Sequence, residues 1–263
     1  RITVLEYLRK WMSEHDYRDR SGHMRRCALK IMLTQENVVF SMRDNPYTPD
    51  IYERGFAMDI SNVRRNETSP FVYHKTMNYG DCILEKRRSG KAGMDERIFL
   101  NTKGQICEGT VSNIFLVRDG RIYTPAIDSG LLPGTVREYI CESEAVTQTV
   151  IFPDELSSYQ ECFVTNSLMG VMPVKLLGNI SFEERNVTAM IMRKYHNFMP
   201  VKCLFVSLWS GLSHFAYGKS VTRYGKPYIV SAVQHSIASI RFILIARPWI
   251  LRKYLFQGLD LCT

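Results

Sequence analysis

His74-Lys75-Thr76-Met77-Asn78-Tyr79, with Cys107-Glu108-Gly109-Thr110-Val111-Ser112-Asn113 downstream, decides the reading of this chain. Lys75 lies in an otherwise uncharged segment, and Glu108 lies among small residues just ahead of the apolar run Ile114-Phe115-Leu116-Val117. A lysine amine can form an imine with a carbonyl, and a carboxylate can hold a proton on a ring nitrogen. Taken singly, Lys75 reads as a solvated surface lysine and Glu108 as an edge-strand charge. Their meaning depends on what surrounds them.

Between and around the two stretches the sequence alternates strand and helix signals. A helix is expected over about 77–92, ending near Gly93. Arg97–Asn101, Gln105–Glu108, Asn113–Val117 and Arg121–Thr124, with turns at Lys103-Gly104 and Asp119-Gly120, read as a hairpin series. Leu132-Pro133-Gly134-Thr135-Val136-Arg137-Glu138 reads as a loop entering a helix that runs to about Ser143. Val146–Phe152, Glu161–Thr165 and Pro173–Leu177 carry strand character, and Glu183–Asn197 a closing helix. Upstream, Ile2, Leu5, Leu8, Trp11 and Met12 recur at helical spacing, so 2–19 is expected to be an amphipathic helix. Cys27–Thr34, Val38–Met42 and Gly55–Ile60 read as strands, and Asn66-Glu67-Thr68-Ser69-Pro70 as a linker.

The 263 residues suffice for one large domain or two modest ones, and 45% hydrophobic with 23% charged residues is ordinary for a globular protein. The net charge of +8 is concentrated at one end. Residues 1–200 hold 26 Lys/Arg against 25 Asp/Glu, whereas 201–263 hold eight basic residues and a single acid, Asp260. The basic balance therefore gives no argument for nucleic-acid binding by the body. The seven scattered cysteines lack a C-x-x-C, which favours a reducing compartment over a disulfide framework or metal site. Ile237–Leu251 is broken by Arg241 and Arg247, so no membrane span is expected. With no signal peptide, a cytoplasmic address is the default expectation. From about Met199 the texture changes, which reads either as an extra helical element or as sequence not selected to fold with the body.

Order and spacing give the single residues their weight. Val63-Arg64-Arg65-Asn66, the Lys75 stretch and Glu108-Gly109-Thr110-Val111-Ser112-Asn113 are followed by Tyr123-Thr124-Pro125 and Gly130-Leu131-Leu132-Pro133-Gly134-Thr135-Val136-Arg137. Phe163-Val164-Thr165-Asn166-Ser167 and Val171-Met172-Pro173-Val174 complete the series. This collinear set, spanning roughly 25–197, resembles the class IV aminotransferases, the fold-type-IV family dependent on pyridoxal 5'-phosphate (PLP). The family includes branched-chain and D-amino-acid transaminases and aminodeoxychorismate lyases. The Arg-Arg-Asn, His-Lys-Thr-x-Asn and Thr-Asn-Ser variants look nearer the lyases, which release pyruvate to give 4-aminobenzoate for folate synthesis.

The resemblance implies an α+β protein: an incomplete small α/β domain over 1–69, a larger β-barrel-like PLP-binding domain with flanking helices over 70–198, and a basic extension over 199–263. It implies that Lys75 carries the cofactor as a Schiff base and that Glu108 pairs with the pyridine nitrogen. Gly134, Thr135 and Val136 fall on the phosphate loop, with Asn166 and Ser167 on a second phosphate turn. Tyr79 falls near a cofactor-contacting tyrosine, although one residue closer to the lysine than in the family. Arg65 falls near an arginine suited to a substrate carboxylate. A homodimer acting on a small amino-acid-like substrate is implied, with no metal, nucleic acid or membrane partner. Family members carry a further 40–60 residues upstream, including an arginine for the PLP phosphate, and Arg43 lies in the wrong context to replace it. The chain therefore looks truncated at its N-terminus, and an inactive remnant is an alternative to the enzyme. A basic binding module formed by 201–263 is a third reading.

Overall fold

The computed structural model describes residues 10–11, 14, 27–34, 38–76 and 78–198, together with the backbone of four strands between 205 and 245. The chain divides into two compact units, one of 1–44 with 205–244 and one of 45–204 with 245–263.

In the first unit, β1 (Cys27–Thr34) and β2 (Val38–Asp44) form an antiparallel hairpin with Cys27 opposite Asp44 and Leu33 opposite Val38. β12 (Phe205–Gly211) runs parallel to β1, and with β15 (Ile240–Ile245) the sheet order is β15-β12-β1-β2. β13 (Ser220–Arg223) and β14 (Lys226–Ile229) make a separate hairpin. The described parts of the basic extension are thus strands rather than helix. Runs such as Phe205-Val206-Ser207-Leu208-Trp209, rich in β-branched and aromatic residues, account for that. Lys10 and Trp11 are helical, and the rest of the helix expected over 2–19 lies outside the described residues apart from a bend at Glu14.

The second unit opens with a short helix, α1 (Pro49–Arg54), too brief for periodicity to reveal, with proline at its start. β3 (Phe56–Arg65) follows and runs five residues beyond the expected Ile60. Its far half, Ser-Asn-Val-Arg-Arg, is polar, and it is held as strand by parallel pairing with β4 (Glu96–Asn101) across an irregularity between Ile60 and Arg64. A 3-10 turn (Pro70–Tyr73) leads past Lys75 to α2 (Gly80–Lys91). Buried Glu85 fastens α2 to the sheet, accepting from Ser61 Oγ at 2.7 Å and Arg97 Nη1 at 3.1 Å.

Next come β5 (Ile106–Gly109), β6 (Asn113–Arg118), β7 (Arg121–Pro125), α3 (Thr135–Ser143) and β8 (Val146–Thr149). β9 (Glu161–Asn166), β10 (Gly170–Leu177), β11 (Ile180–Ser181) and α4 (Asn186–Phe198) follow. The sheet order is β5-β4-β3-β10-β9-β6-β7-β8, with β11 on β10. It is mixed: β3 is parallel to both β4 and β10, while β9 is antiparallel to β10 and β6. The sheet curls into a half-barrel with helices, in line with the α+β, barrel-like expectation.

The hairpin series is interrupted between β5 and β6, which do not pair. Buried Glu96 on β4 accepts from Thr110 N at 3.1 Å and from the Thr110 hydroxyl, and Gly109 N donates to Ser112 O at 2.7 Å. The chain is thereby turned away from β5, and β6 pairs with β9 instead, setting Phe115 opposite Phe163 with stacked rings 4.9 Å apart. Ile114 and Leu116, which alternate with Phe115 along β6, face the other side of the sheet and are fully buried with Met58 and Ile98 in the main hydrophobic core. Glu161 on β9 caps α4, accepting from Val187 N at 2.9 Å and Thr188 N at 2.7 Å.

One close approach ties the Lys75 side of the unit to the loop that follows β7. Gly130 has φ +92°, and a Cβ there would lie 2.9 Å from Glu67 Cα. Glu67 in turn accepts from Thr102 Oγ1 at 2.8 Å, and Tyr73 donates its hydroxyl to Glu67 O at 2.6 Å. Gly130→Ala adds both a strained φ and a backbone clash, and is expected to cost roughly 2 kcal/mol or more in urea unfolding. Unchanged stability would contradict this packing.

Candidate active site

Lys75 is set by what precedes it. The 3-10 turn ends at His74, whose extended backbone (φ −121°, ψ 143°) breaks any continuation, and Thr76 N donates to His74 O at 3.0 Å. α2 then starts at Gly80 rather than near Met77, which itself lies outside the described residues, so Lys75 sits on an irregular segment between two helical pieces. Tyr79 is the residue that precedes α2, half-buried, with φ −128° and ψ 32°.

Glu108 closes β5 and is only 5% exposed. Its Oε1 accepts from Arg65 Nη2 at 2.8 Å, and its Oε2 accepts from Leu132 N at 3.1 Å. Lys75 also acts on it electrostatically, favouring its charged form. Arg65, at the end of β3, lies with its guanidinium 4.6 Å from the Phe99 ring centroid, and its Nη2 also donates to Cys82 Sγ at 3.1 Å. The arginine expected near a substrate carboxylate thus turns Nη2 toward Glu108 and Cys82, while its Nε is buried with no hydrogen-bond partner.

A second cluster forms where α3 begins. Gly134 precedes the helix with no side-chain cap, leaving first-turn N–H groups to other acceptors. A Cβ on Gly134 would meet Asn113 Oδ1 at 2.3 Å, so a larger residue in this loop would have to displace the Asn113 side chain. Thr135 and Ser167 hydroxyls lie 3.0 Å apart, which joins the two turns that the sequence assigned to phosphate. Val136 is buried and offers only its backbone N–H. Asn166 uses its side chain locally: Oδ1 accepts from Leu168 N at 2.9 Å and Met169 N at 2.8 Å, and Nδ2 donates to Val111 O at 3.2 Å. It shapes the Ser167 turn rather than presenting its amide. Thr165 Oγ1, beside it, is buried without a partner.

These residues fit PLP: a buried carboxylate coupled to a lysine, and hydroxyls with an uncapped helix start suited to a phosphate. Sequence reasoning missed Cys82, Leu132 N and the Gly130–Glu67 approach; no local pattern marks any of them. Among the described residues no cluster of three His, Cys, Asp or Glu could hold a metal, and no helix is long and apolar enough to cross a membrane.

The electrostatics of Glu108 carry a consequence for stability. Burial raises its pKa to about 7, against the lowering influence of Arg65, the Leu132 N–H and Lys75. The folded chain therefore binds more protons than the unfolded chain between about pH 4.5 and pH 7. Its contribution is most favourable below that window and is lost as pH rises through it, by about 3 kcal/mol at most. Urea unfolding of ligand-free protein at pH 5 and pH 8 is expected to show this loss in the wild type and not in Glu108→Gln. Parallel pH profiles for the two proteins would contradict it.

Comparisons with known proteins give the family and the fold. The family model described as amino-transferase class IV matches residues 7–177. A protein named "Probable branched-chain-amino-acid aminotransferase" from Thermotoga maritima is 36% identical over 175 residues, covering 62% of this chain and 61% of that protein. The aminodeoxychorismate lyase of Bacillus subtilis is 25% identical over 193 residues, covering 68% of this chain and 65% of the lyase. The chain thus spans less than two thirds of each of these relatives. The solved branched-chain amino acid aminotransferase of Escherichia coli matches in fold with TM-score 0.53 at 24% identity, covering 63% of this chain and 58% of the enzyme. A match over most of the chain, with the same fold, places it: the chain belongs to the class IV aminotransferase family, whose structural neighbours are fold-type-IV PLP enzymes.

Proposed function

We propose that this chain carries out PLP-dependent chemistry at the Cα of a small amino-acid-like substrate, with Lys75 as the reacting amine. The observation that carries the reading is buried Glu108, paired with Arg65 and acted on by Lys75, accepting from Leu132 N, three residues before the Thr135 whose hydroxyl meets Ser167. PLP, when bound, supplies an electron-poor ring that accepts the electron pair left at Cα when a proton departs.

The chain's own groups would divide the work. Lys75 would hold the cofactor covalently, give it up to the substrate amine, and then take the Cα proton on its freed nitrogen. Glu108 would hold the proton on the ring nitrogen, with Arg65 and the Leu132 N–H keeping the carboxylate in place. The hydroxyls of Thr135 and Ser167, with the N–H groups at the start of α3, would grip the phosphate. Tyr79, the residue that precedes α2, would bound the cofactor's edge.

Transfer of the amino group to a keto acid is the outcome supported by the 36% identity to the Thermotoga maritima protein. The lyase outcome, release of pyruvate from aminodeoxychorismate, is supported by the Arg64-Arg65-Asn66 and Thr165-Asn166-Ser167 variants and by the alignment with the Bacillus subtilis lyase. Both begin with the same proton removal by Lys75.

Incubation with PLP followed by borohydride is expected to fix the cofactor on Lys75, read by peptide mass, and to leave Lys75→Ala unlabelled. A colourless protein with no label on Lys75 would overturn the proposal. Products then separate the two outcomes: glutamate from 2-oxoglutarate with a branched-chain or D-amino acid, or pyruvate with 4-aminobenzoate from aminodeoxychorismate.

A further inference from the structure

Arg65 Nη2 has two neighbours among the described residues. Glu108 Oε1 lies 2.8 Å away and Cys82 Sγ lies 3.1 Å away. Cys82 is buried in the first turn of α2, and burial pushes its thiol up, so it stands there as a neutral sulfur. Beneath the guanidinium, Phe99 offers a ring face that attracts the cation but does not fix its rotation. Nε, buried and without a partner, adds no further restraint. Rotation of the guanidinium in its own plane is therefore limited at Nη2 by two acceptors on different elements, β5 and α2.

We propose that Cys82 is a positioning residue for the ring-nitrogen carboxylate: its sulfur accepts a hydrogen bond from Arg65 Nη2 and so fixes the guanidinium against Glu108 Oε1. The inference rests on the reading of Glu108 given above. The position is well supported. α2 is fastened to the sheet through Glu85, which accepts from Ser61 on β3 and Arg97 on β4, so Cys82 is delivered from a clamped helix. Without the sulfur, one N–H of a buried cation loses its acceptor, and the guanidinium turns on the Phe99 face to find another. Its mean distance from Glu108 then grows, and the carboxylate loses part of the counter-charge that keeps it ionised beside a cofactor nitrogen.

Four groups bear on Glu108 in this site: Arg65 from β3, Lys75 from the segment before α2, the Cys82 thiol from α2, and the Leu132 N–H from the loop before α3. Cys107, next in the chain, is pushed up to about 12 by burial and does not titrate in the range that matters. Changing Cys82 acts on the first of these, through Arg65.

The test replaces the sulfur in two ways. Cys82→Val keeps the bulk and removes the acceptor, whereas Cys82→Ser keeps an acceptor and changes the bulk. Cys82→Ala stands in for the valine variant should that one fail to fold. Full-length chains labelled with 13C at glutamate carboxyls, the Glu108 signal assigned with Glu108→Gln, give the titration midpoint of Glu108 without any cofactor. PLP affinity is measured on the same chains. The valine and alanine variants are expected to raise the midpoint by about half to one pH unit and to weaken PLP binding about threefold to tenfold, with the serine variant close to wild type. A wild-type midpoint in a folded variant without the acceptor overturns the proposal. So does an equal shift in serine and valine, which assigns the effect to packing. Because the midpoint needs no PLP, it reports on Cys82 even if the borohydride label fails to appear on Lys75.

Discussion

A carboxylate placed where water cannot reach it organises this molecule. Glu108 is 5% exposed, and desolvation alone would keep it protonated at neutral pH. Its oxygens are divided between a guanidinium and a backbone N–H, each delivered by a different part of the fold. A buried ion pair adds little to stability by itself, but removing either member strands the other. The sheet, the loop before α3 and α2 therefore all converge on one side chain whose charge has to be arranged rather than solvated.

The surrounding architecture follows from that need. β3 extends to Arg65 because parallel pairing with β4 holds its polar half as strand. The loop carrying Leu132 can reach Glu108 because Gly130 packs against the Glu67 backbone, an approach that only glycine allows, and Gly134 passes close over the Asn113 side chain. Glu96, bound to Thr110, turns the chain out of β5 so that β6 joins β9 and the Thr165–Ser167 turn comes to the start of α3. The contacts that make the core also bring the Lys75–Glu108 cluster and the Thr135–Ser167 pair into one unit.

Much of this was legible in the sequence, unevenly and for physical reasons. Strand and helix placement from Glu96 onward followed periodicity closely because those strands are buried and bounded by clear turns such as Asp119-Gly120. The sequence marks β3 only as far as Ile60 because Ser61 to Arg65 lacks the apolar signal on which strand recognition depends. Lys75 and Glu108 stood out through motif order. The partners of Glu108 did not: Arg65 and Cys82 are 17 residues apart, and no rule of local spacing connects a cysteine in a helix to an arginine at a strand end. The resemblance places Asn166 with Ser167 on a phosphate turn, and its side-chain amide bonds to Leu168 and Met169 within that turn and to Val111. Whether a polar side chain faces a ligand or its own backbone depends on turn geometry, which a motif leaves open.

The claim at the centre is that Glu108 exists to hold a proton on a ring nitrogen. Nitrogen NMR of the protein loaded with PLP labelled with 15N in its ring reads that proton directly. The account predicts the shift of a protonated ring nitrogen in the wild type at neutral pH, and of an unprotonated one in Glu108→Gln. An unprotonated ring nitrogen in the wild type, unchanged by the substitution, would contradict it.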